Sequence, residues 1–240
     1  MKTSALLAGL AVLALVMASP SHSYPSSLGP TGILNVPTAA ATSPGSFEMM
    51  LAYDRPVVAG ETIPVFPVAT LNYGFNYGEI GVSYFDVNGY TAVKSVHAKV
   101  LLAKECEKSP SLAVGVIHMK GDTAETDLYL VASDSMGLMD FFQRHLGVDI
   151  KVSGGMLYQK PNQSVHHRAL KDNLTGMAGI ELGTPGQTTL GLDYIVEDIA
   201  AGNTFGAILR QPLSPDLAGQ IGVGSGTRYF FGITMKFGGK

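Results

Sequence analysis

The sequence predicts an all-β fold, a single antiparallel transmembrane β-barrel of about 12 strands and within roughly 10–14, which follows a cleaved N-terminal signal peptide. Three observations carry this prediction. The chain opens with an export signal, strand-like runs with a period of two recur to its end, and charged residues make up only 15% of it. Soluble domains carry about 25% charged residues, so this chain has little charge for a wetted surface. A chain without a long apolar run beyond its start must enter lipid as a closed sheet, because lipid cannot satisfy open backbone groups.

The first 23 residues have the order of a secretory signal peptide. Lys2 precedes an uncharged apolar run over residues 5–18, and small residues follow up to Ser23. The run is shorter than the about 20 apolar residues that span a bilayer comfortably. We therefore expect cleavage after Ser23, with an uncleaved anchor helix as the alternative.

The mature chain divides into three parts. Residues 24–46 are predicted to form an extended lead, because Pro30 and Pro37 fix their own φ and bias their predecessors toward extended backbone. This lead would enter the periplasmic mouth of the barrel, and a flexible tail is the alternative. Residues 47–237 form the barrel and residues 238–240 a short tail.

Strand candidates fill the predicted barrel region. Side chains of a strand point alternately to opposite faces, so apolar and polar residues alternate where one face meets lipid and the other the lumen. The clearest runs are 47–54, 79–84, 95–102, 146–153 and 189–197, and partial alternation covers 64–73, 111–119, 125–133, 175–183, 204–211 and 217–224. With the last strand these runs bring the count to about twelve.

The last strand is the most regular. Its apolar positions, broken only by Phe230, alternate with polar or small residues and form the predicted signal for the barrel-assembly machinery: Tyr229, Phe231, Ile233, Met235 and Phe237. Three residues follow Phe237, whereas outer-membrane barrels normally end on the aromatic residue itself.

The opposite parity predicts which charged side chains face the lumen. These candidates are Glu79, Lys99, Asp149, Lys151, Asp193, Glu197, Arg210 and Arg228. Both signs occur in similar numbers, which suits an interior cross-linked by ion pairs at least as well as a charge-selective channel. Glycines on the same face, such as Gly191, either leave space in the lumen or permit strand bends.

The connections between strands differ in length and composition. The polar stretch 160–173 is predicted to be an outward loop, and residues 134–144 a short helix at the rim or inside the barrel. Cys106 is the single cysteine, so the chain has no internal disulfide.

Catalytic and metal chemistry find little support. The histidines of the mature chain form no pair with a serine on any strand, and His166 and His167 are adjacent and so cannot face one site on a regular strand. Asp122, Glu125 and Asp127 offer oxygen ligands for Ca²⁺, but a solvated hairpin tip is the favoured interpretation. We therefore predict no enzyme activity, no cofactor and no metal site.

One segment resembles a known family. Residues 27–39 read SLGPTGILNVPTA, and PGSF at 44–47 leads into the first strand. This opening resembles that of YjbH-type outer-membrane β-barrel proteins. The resemblance implies an outer-membrane location and a role linked to exopolysaccharide production or export, with no catalytic residues to carry over.

Two functional hypotheses follow. The leading one is a small porin-like pore, or an accessory protein in surface exopolysaccharide export, in contact with outer-membrane lipid and with polysaccharide-export components. The alternative is a structural or interaction barrel with a plugged lumen and no transport role. The chain is not basic enough to indicate binding to nucleic acid.

Overall fold

The fold was obtained as a computed structural model, which describes residues 24–55, 57–58, 61–62, 64–87, 92–106, 109–121, 124–135, 148–161, 173–184, 187–196, 203–225 and 228–238. The predicted signal peptide, the outward loop over 162–172 and most of the predicted short helix lie outside these ranges. Within them, no helix has the length and apolar character needed to cross a membrane.

Twelve long strands form one closed antiparallel barrel, which confirms the predicted fold and strand number. Two further strands of two residues each pair as a small hairpin between the first two barrel strands. The strands are β1 (Ser46–Arg55), β2 (Val57–Val58), β3 (Glu61–Thr62), β4 (Val65–Phe75), β5 (Gly78–Val87), β6 (Val93–Ala103), β7 (Ser111–Lys120), β8 (Ala124–Ser135), β9 (Asp149–Pro161), β10 (Asn173–Gly183), β11 (Thr189–Val196), β12 (Thr204–Ser214), β13 (Leu217–Gly224) and β14 (Arg228–Gly238).

The barrel closes where the first strand meets the last. β1 and β14 are antiparallel over their whole length, from Ser46 opposite Gly238 to Arg55 opposite Tyr229. Around the rest of the barrel, each strand pairs with the next barrel strand along the chain. The β2–β3 hairpin lies between β1 and β4 in the sequence. We call the end of the barrel at Ser46 and Gly238 the terminal end, and the end at Arg55 and Arg228 the loop end.

β9 is longer than the sequence pattern indicates. It starts at Asp149 and continues to Pro161, whereas alternation is clear only over residues 146–153. Gly154 and Gly155 interrupt the apolar pattern. Pairing with β8 and β10 on both sides keeps this stretch in the sheet.

The two faces of the wall differ as lipid and lumen require. Most large outward side chains are aliphatic or aromatic, for example Leu51 and Phe231, which expose 47% and 52% of their surface. Many inward side chains are buried, both polar ones such as Thr70 and Gln220 and apolar ones such as Met50. The wall therefore presents an apolar surface to a membrane.

Residues 24–44, which we call the plug, fold inside the barrel. Their core is a tight hairpin in which the Ile33 N–H donates to the Val36 carbonyl (2.9 Å) and the Thr38 N–H donates to the Thr31 carbonyl (3.1 Å). Gly29 adopts a φ of +113°, which glycine tolerates, where the chain turns into this hairpin. The segment is thus compact where the sequence indicates an extended lead, because the barrel interior supplies partners for backbone groups that a lead would leave to water.

Candidate functional site

Side chains that line the lumen bind the backbone of the plug. None of residues 24–43 belongs to a ladder of the barrel, and an isolated bridge joins Pro44 to Gly74 of β4. Backbone groups buried without partners are costly. Charged side chains of the wall meet this need at two places.

The first place, which we call the terminal-end clamp, is built by Glu79 of β5 and Lys99 of β6. The Glu79 carboxylate accepts hydrogen bonds from the N–H groups of Thr31 and Thr42, each at 2.8 Å. The Lys99 ammonium donates to the carbonyls of Thr31 (2.9 Å) and Ala40 (2.6 Å) and lies 3.1 Å from the Glu79 carboxylate. Both charged side chains are fully buried, so each balances the charge of the other while it binds the plug.

The second place, which we call the tip clamp, holds the turn of the plug hairpin. The Asp193 carboxylate on β11 accepts hydrogen bonds from the N–H groups of Asn35 (2.5 Å) and Val36 (3.2 Å), and from the Asn35 amide (2.9 Å). Arg210 of β12 donates to the carbonyls of Gly32 (2.6 Å) and Ile33 (2.9 Å). An acid again binds backbone N–H groups while a base binds backbone carbonyls.

Arg210 and the start of the plug are also linked through Tyr24. The Arg210 guanidinium lies 5.1 Å from the centre of the Tyr24 ring, within cation–π range. Arg210 pairs with Glu181 at 3.2 Å, which offsets the burial of its charge. Burial raises the pKa of the Tyr24 phenol, so this side chain stays neutral beside the guanidinium.

A further contact reaches the loop end of the barrel. Arg228, the first residue of β14, forms a bidentate ion pair with Asp54 of β1, with hydrogen bonds of 2.9 Å and 2.5 Å. The same guanidinium donates to the side-chain oxygen of Asn35 in the plug. The polar contacts of the plug therefore extend from Glu79 near the terminal end to Arg228 at the loop end.

Apolar side chains of the plug pack on two inward clusters of the wall. Ile33 and Leu34 belong to one cluster, together with Met50, Ala52, Val65, Val68, Ile208 and Phe230. Val36 and Ala39 belong to the other, together with Ala113, Ile117, Tyr129, Val131, Leu157, Met177 and Ile195. The lumen is thus lined for packing against this segment.

Glycine provides room for that packing. A Cβ atom at Gly191 would lie 2.7 Å from Cγ2 of Ile33, closer than side-chain atoms approach. The sequence leaves open whether this glycine provides space in the lumen or permits a strand bend. The contact with Ile33 favours the first interpretation, and the plug occupies the space.

The predicted lumen residues fall into two groups. Glu79, Lys99, Asp193 and Arg210 lie inside the barrel, buried, and contact the plug. Arg228 lies beside them at the loop end.

Two of the remaining predicted lumen residues, Asp149 and Lys151, lie apart from the plug. Asp149 is exposed at the start of β9, and Lys151 lies 3.9 Å from Glu105 near the terminal end. Glu197 is outside the described residues.

Sequence reasoning missed the plug residues that complete the clamps. Thr31, Asn35 and Thr42 carry no charge and lie outside the alternating runs. The stretch 27–39, on which the family resemblance rests, is the signal that points to Thr31 and Asn35; no such signal covers Thr42.

The predicted assembly residues lie on the outer wall. Tyr229, Phe231, Ile233 and Phe237 are exposed there, and Met235 is partly buried. Their role as an assembly signal stays a prediction.

The described residues contain no group of three or more His, Cys, Asp or Glu side chains arranged to hold a metal ion. Asp127 is buried on the inner face of β8 instead of at a solvated hairpin tip, whereas Asp122 lies outside the described residues.

Comparison with known proteins identifies the family. The YjbH family, described as exopolysaccharide biosynthesis protein YbjH, matches residues 25–176. The chain belongs to this family. The matched region of this YjbH-family chain contains nearly all of the plug and strands β1–β9, so the plug lies within the part that defines membership. A search of curated proteins found no match.

Solved structures with a similar fold include a porin and an outer membrane channel. The YjbH-family barrel is similar to the KdgM porin, with 13% identity and a TM-score of 0.61 over 80% of this chain and 99% of the porin. A KdgM porin in complex with disordered oligogalacturonate gives 12% identity and a TM-score of 0.57, with the same coverage. An outer membrane channel from Pseudomonas putida F1 gives 10% identity and a TM-score of 0.58 over 85% of this chain and all of the channel. These likenesses show that the chain shares the barrel fold of these proteins.

Proposed function

We propose that this protein is a gated outer-membrane barrel of exopolysaccharide export, which its own N-terminal plug holds closed at rest. The observation that carries the proposal is the way the plug is bound. Side chains of the wall clamp it, and residues 24–43 pair with no strand of the barrel. The plug can therefore leave without breaking a ladder hydrogen bond of the wall.

The family and the fold favour the same role. The YjbH family is described by exopolysaccharide biosynthesis, and the barrels of similar fold are a porin and a channel. A barrel of twelve strands is wide enough to enclose a folded segment, and removal of that segment would leave an aqueous path.

A second candidate is an accessory barrel that never opens. The apolar contacts of Ile33, Leu34 and Val36 with both inward clusters favour it, since these contacts would be lost to water on opening.

Single-channel conductance tests whether the plug closes the pore. We expect the full chain to be silent in a planar bilayer, and a variant lacking residues 25–41 to conduct. Heat-modifiable gel migration of both proteins verifies that the barrel has formed. A silent deletion variant with an intact barrel would contradict the gated channel.

A reversible cross-link separates gating from an accessory role. The Ala39 N–H donates to the Ser133 hydroxyl at 2.9 Å, so Ala39→Cys with Ser133→Cys should pin the plug to β8 in a Cys106→Ser background. We expect the oxidised double variant to block surface polysaccharide in a producing strain, and reduction to restore it. Each single cysteine variant is the control. Normal surface polysaccharide with a pinned plug would favour the accessory role.

A further inference from the structure

Two acidic side chains of β8 face the lumen toward the loop end and form no hydrogen bond with the described plug residues. Asp127 is only 2% exposed, and Glu125 lies two residues before it on the same face of the strand. The Glu125 carboxylate accepts a hydrogen bond from the Gln159 amide at 3.4 Å. This group takes no part in the two clamps.

The acidic pair lacks a counter-charge among its described neighbours. The carboxyl groups of Asp127 and Glu125 lie within hydrogen-bond reach of each other, and Oδ1 of Asp127 is buried without a hydrogen-bond partner. Across the sheet, Asp127 is opposite Ile117 of β7 and Gln159 of β9, and neither carries charge. The described inward side chains of β7 are Ser111, Ala113, Gly115, Ile117 and Met119, again without a cation.

Adjacent carboxylates in such a place are unfavourable by themselves. Burial penalises each charge, and the two charges repel each other. Either a shared proton or a bound cation removes this cost. A proton shared between the two carboxyl groups would fill their mutual contact but leave Oδ1 of Asp127 without a partner, whereas a bound cation can also contact Oδ1.

We propose that Glu125, Asp127 and Gln159 form a Ca²⁺ site in the wall of the lumen. Ca²⁺ takes 6–8 oxygen ligands at about 2.3–2.6 Å in flexible geometry. Both carboxylates supply oxygen, and a half-turn of the Gln159 amide turns its oxygen toward the ion; water completes the shell. Mg²⁺ fits less well, because it requires near-ideal octahedral geometry at about 2.0–2.1 Å and gives up water reluctantly. With three protein ligands we expect a Kd of about 10⁻⁴–10⁻³ M, as for weak extracellular sites.

Thermal stability of the full-length protein in detergent tests the site without reference to conductance. We expect 10-fold excess Ca²⁺ over the Kd to raise the unfolding temperature relative to EDTA, with saturation, and equal Mg²⁺ to raise it less. Asp127→Asn keeps the shape of the side chain and should abolish the shift. Asp149→Asn removes an exposed acid at the other end of the barrel and should leave the shift unchanged.

A second variant and a direct readout protect the test from a folding failure. Glu125→Gln alters the less buried partner and should weaken Ca²⁺ binding at least tenfold. Tb³⁺ luminescence, sensitised by nearby tyrosines such as Tyr129, should rise on binding and fall when Ca²⁺ competes. Three results would each overturn the proposal: no saturable response of the wild type, an unchanged response in both variants, or equal shifts with Mg²⁺.

Discussion

Loss of the Asp193 carboxylate should open the tip of the plug. In Asp193→Ala, the N–H groups of Asn35 and Val36 lose the acceptor that they reach at 2.5 Å and 3.2 Å. Each buried donor left without a partner costs about 1–3 kcal/mol, so the two together cost about 4 kcal/mol. At about 1.4 kcal/mol for each factor of ten, opening of the tip becomes about a thousand-fold more frequent.

Labelling of a buried thiol measures this opening. Val36 is fully buried, and Val36→Cys in a Cys106→Ser background places a small thiol at the tip. We expect Asp193→Ala to raise the rate of maleimide labelling at this position by about 100- to 1,000-fold. The β-sheet of the barrel should remain intact, since the ladders of β11 with β10 and β12 use backbone groups only.

A matched acidic residue provides the control. Asp149→Ala removes an exposed carboxylate that does not contact the plug, and labelling should stay at the wild-type rate. Equal labelling in Asp193→Ala and the wild type, with normal heat-modifiable migration in both, would refute the idea that this carboxylate holds the tip.

Three other substitutions test the plug and the wall. Gly191→Val should displace Ile33, which lies 2.7 Å from the added Cβ, and should raise thiol labelling of the plug. Adding Ile33→Ala to the same chain should restore protection of the thiol. Labelling that stays high in this double variant would argue against a steric cause. Lys99→Met leaves the buried Glu79 charge unpaired, at a cost of about 3–5 kcal/mol, so it should lower the unfolding temperature, and adding Glu79→Gln should recover part of the loss. Phe237→Ala should lower membrane recovery of the assembled barrel because it removes the last outward aromatic residue, whereas wild-type levels and protease resistance would contradict a role in assembly.

The barrel itself could be predicted from sequence because its physical cause is local. Lipid on one side and the lumen on the other impose a period of two on each strand, and this period is visible in runs such as 47–54 and 189–197. The exception, the second half of β9, contains Gly154 and Gly155, which show no such preference.

The plug could not be predicted because its causes are distant in the chain. Thr31 and Glu79 are 48 residues apart, and Asn35 and Asp193 are 158 residues apart. A pattern of two or three neighbouring residues does not show which distant residues they contact. Parity indicates that Glu79 and Asp193 point inward, but not that their partners are backbone N–H groups.

Because the first and last strands pair to close the barrel, the sheet can close only when β14 is present. A chain that stops before β14 leaves the edges of β1 and β13 unpaired, and unpaired edges invite association with other chains. The plug precedes β1 directly, so it lies next to the seam between β1 and β14. A prematurely terminated product would therefore present both an open seam and an unenclosed N-terminal segment, two features by which a cell's proteases can tell it from a finished barrel.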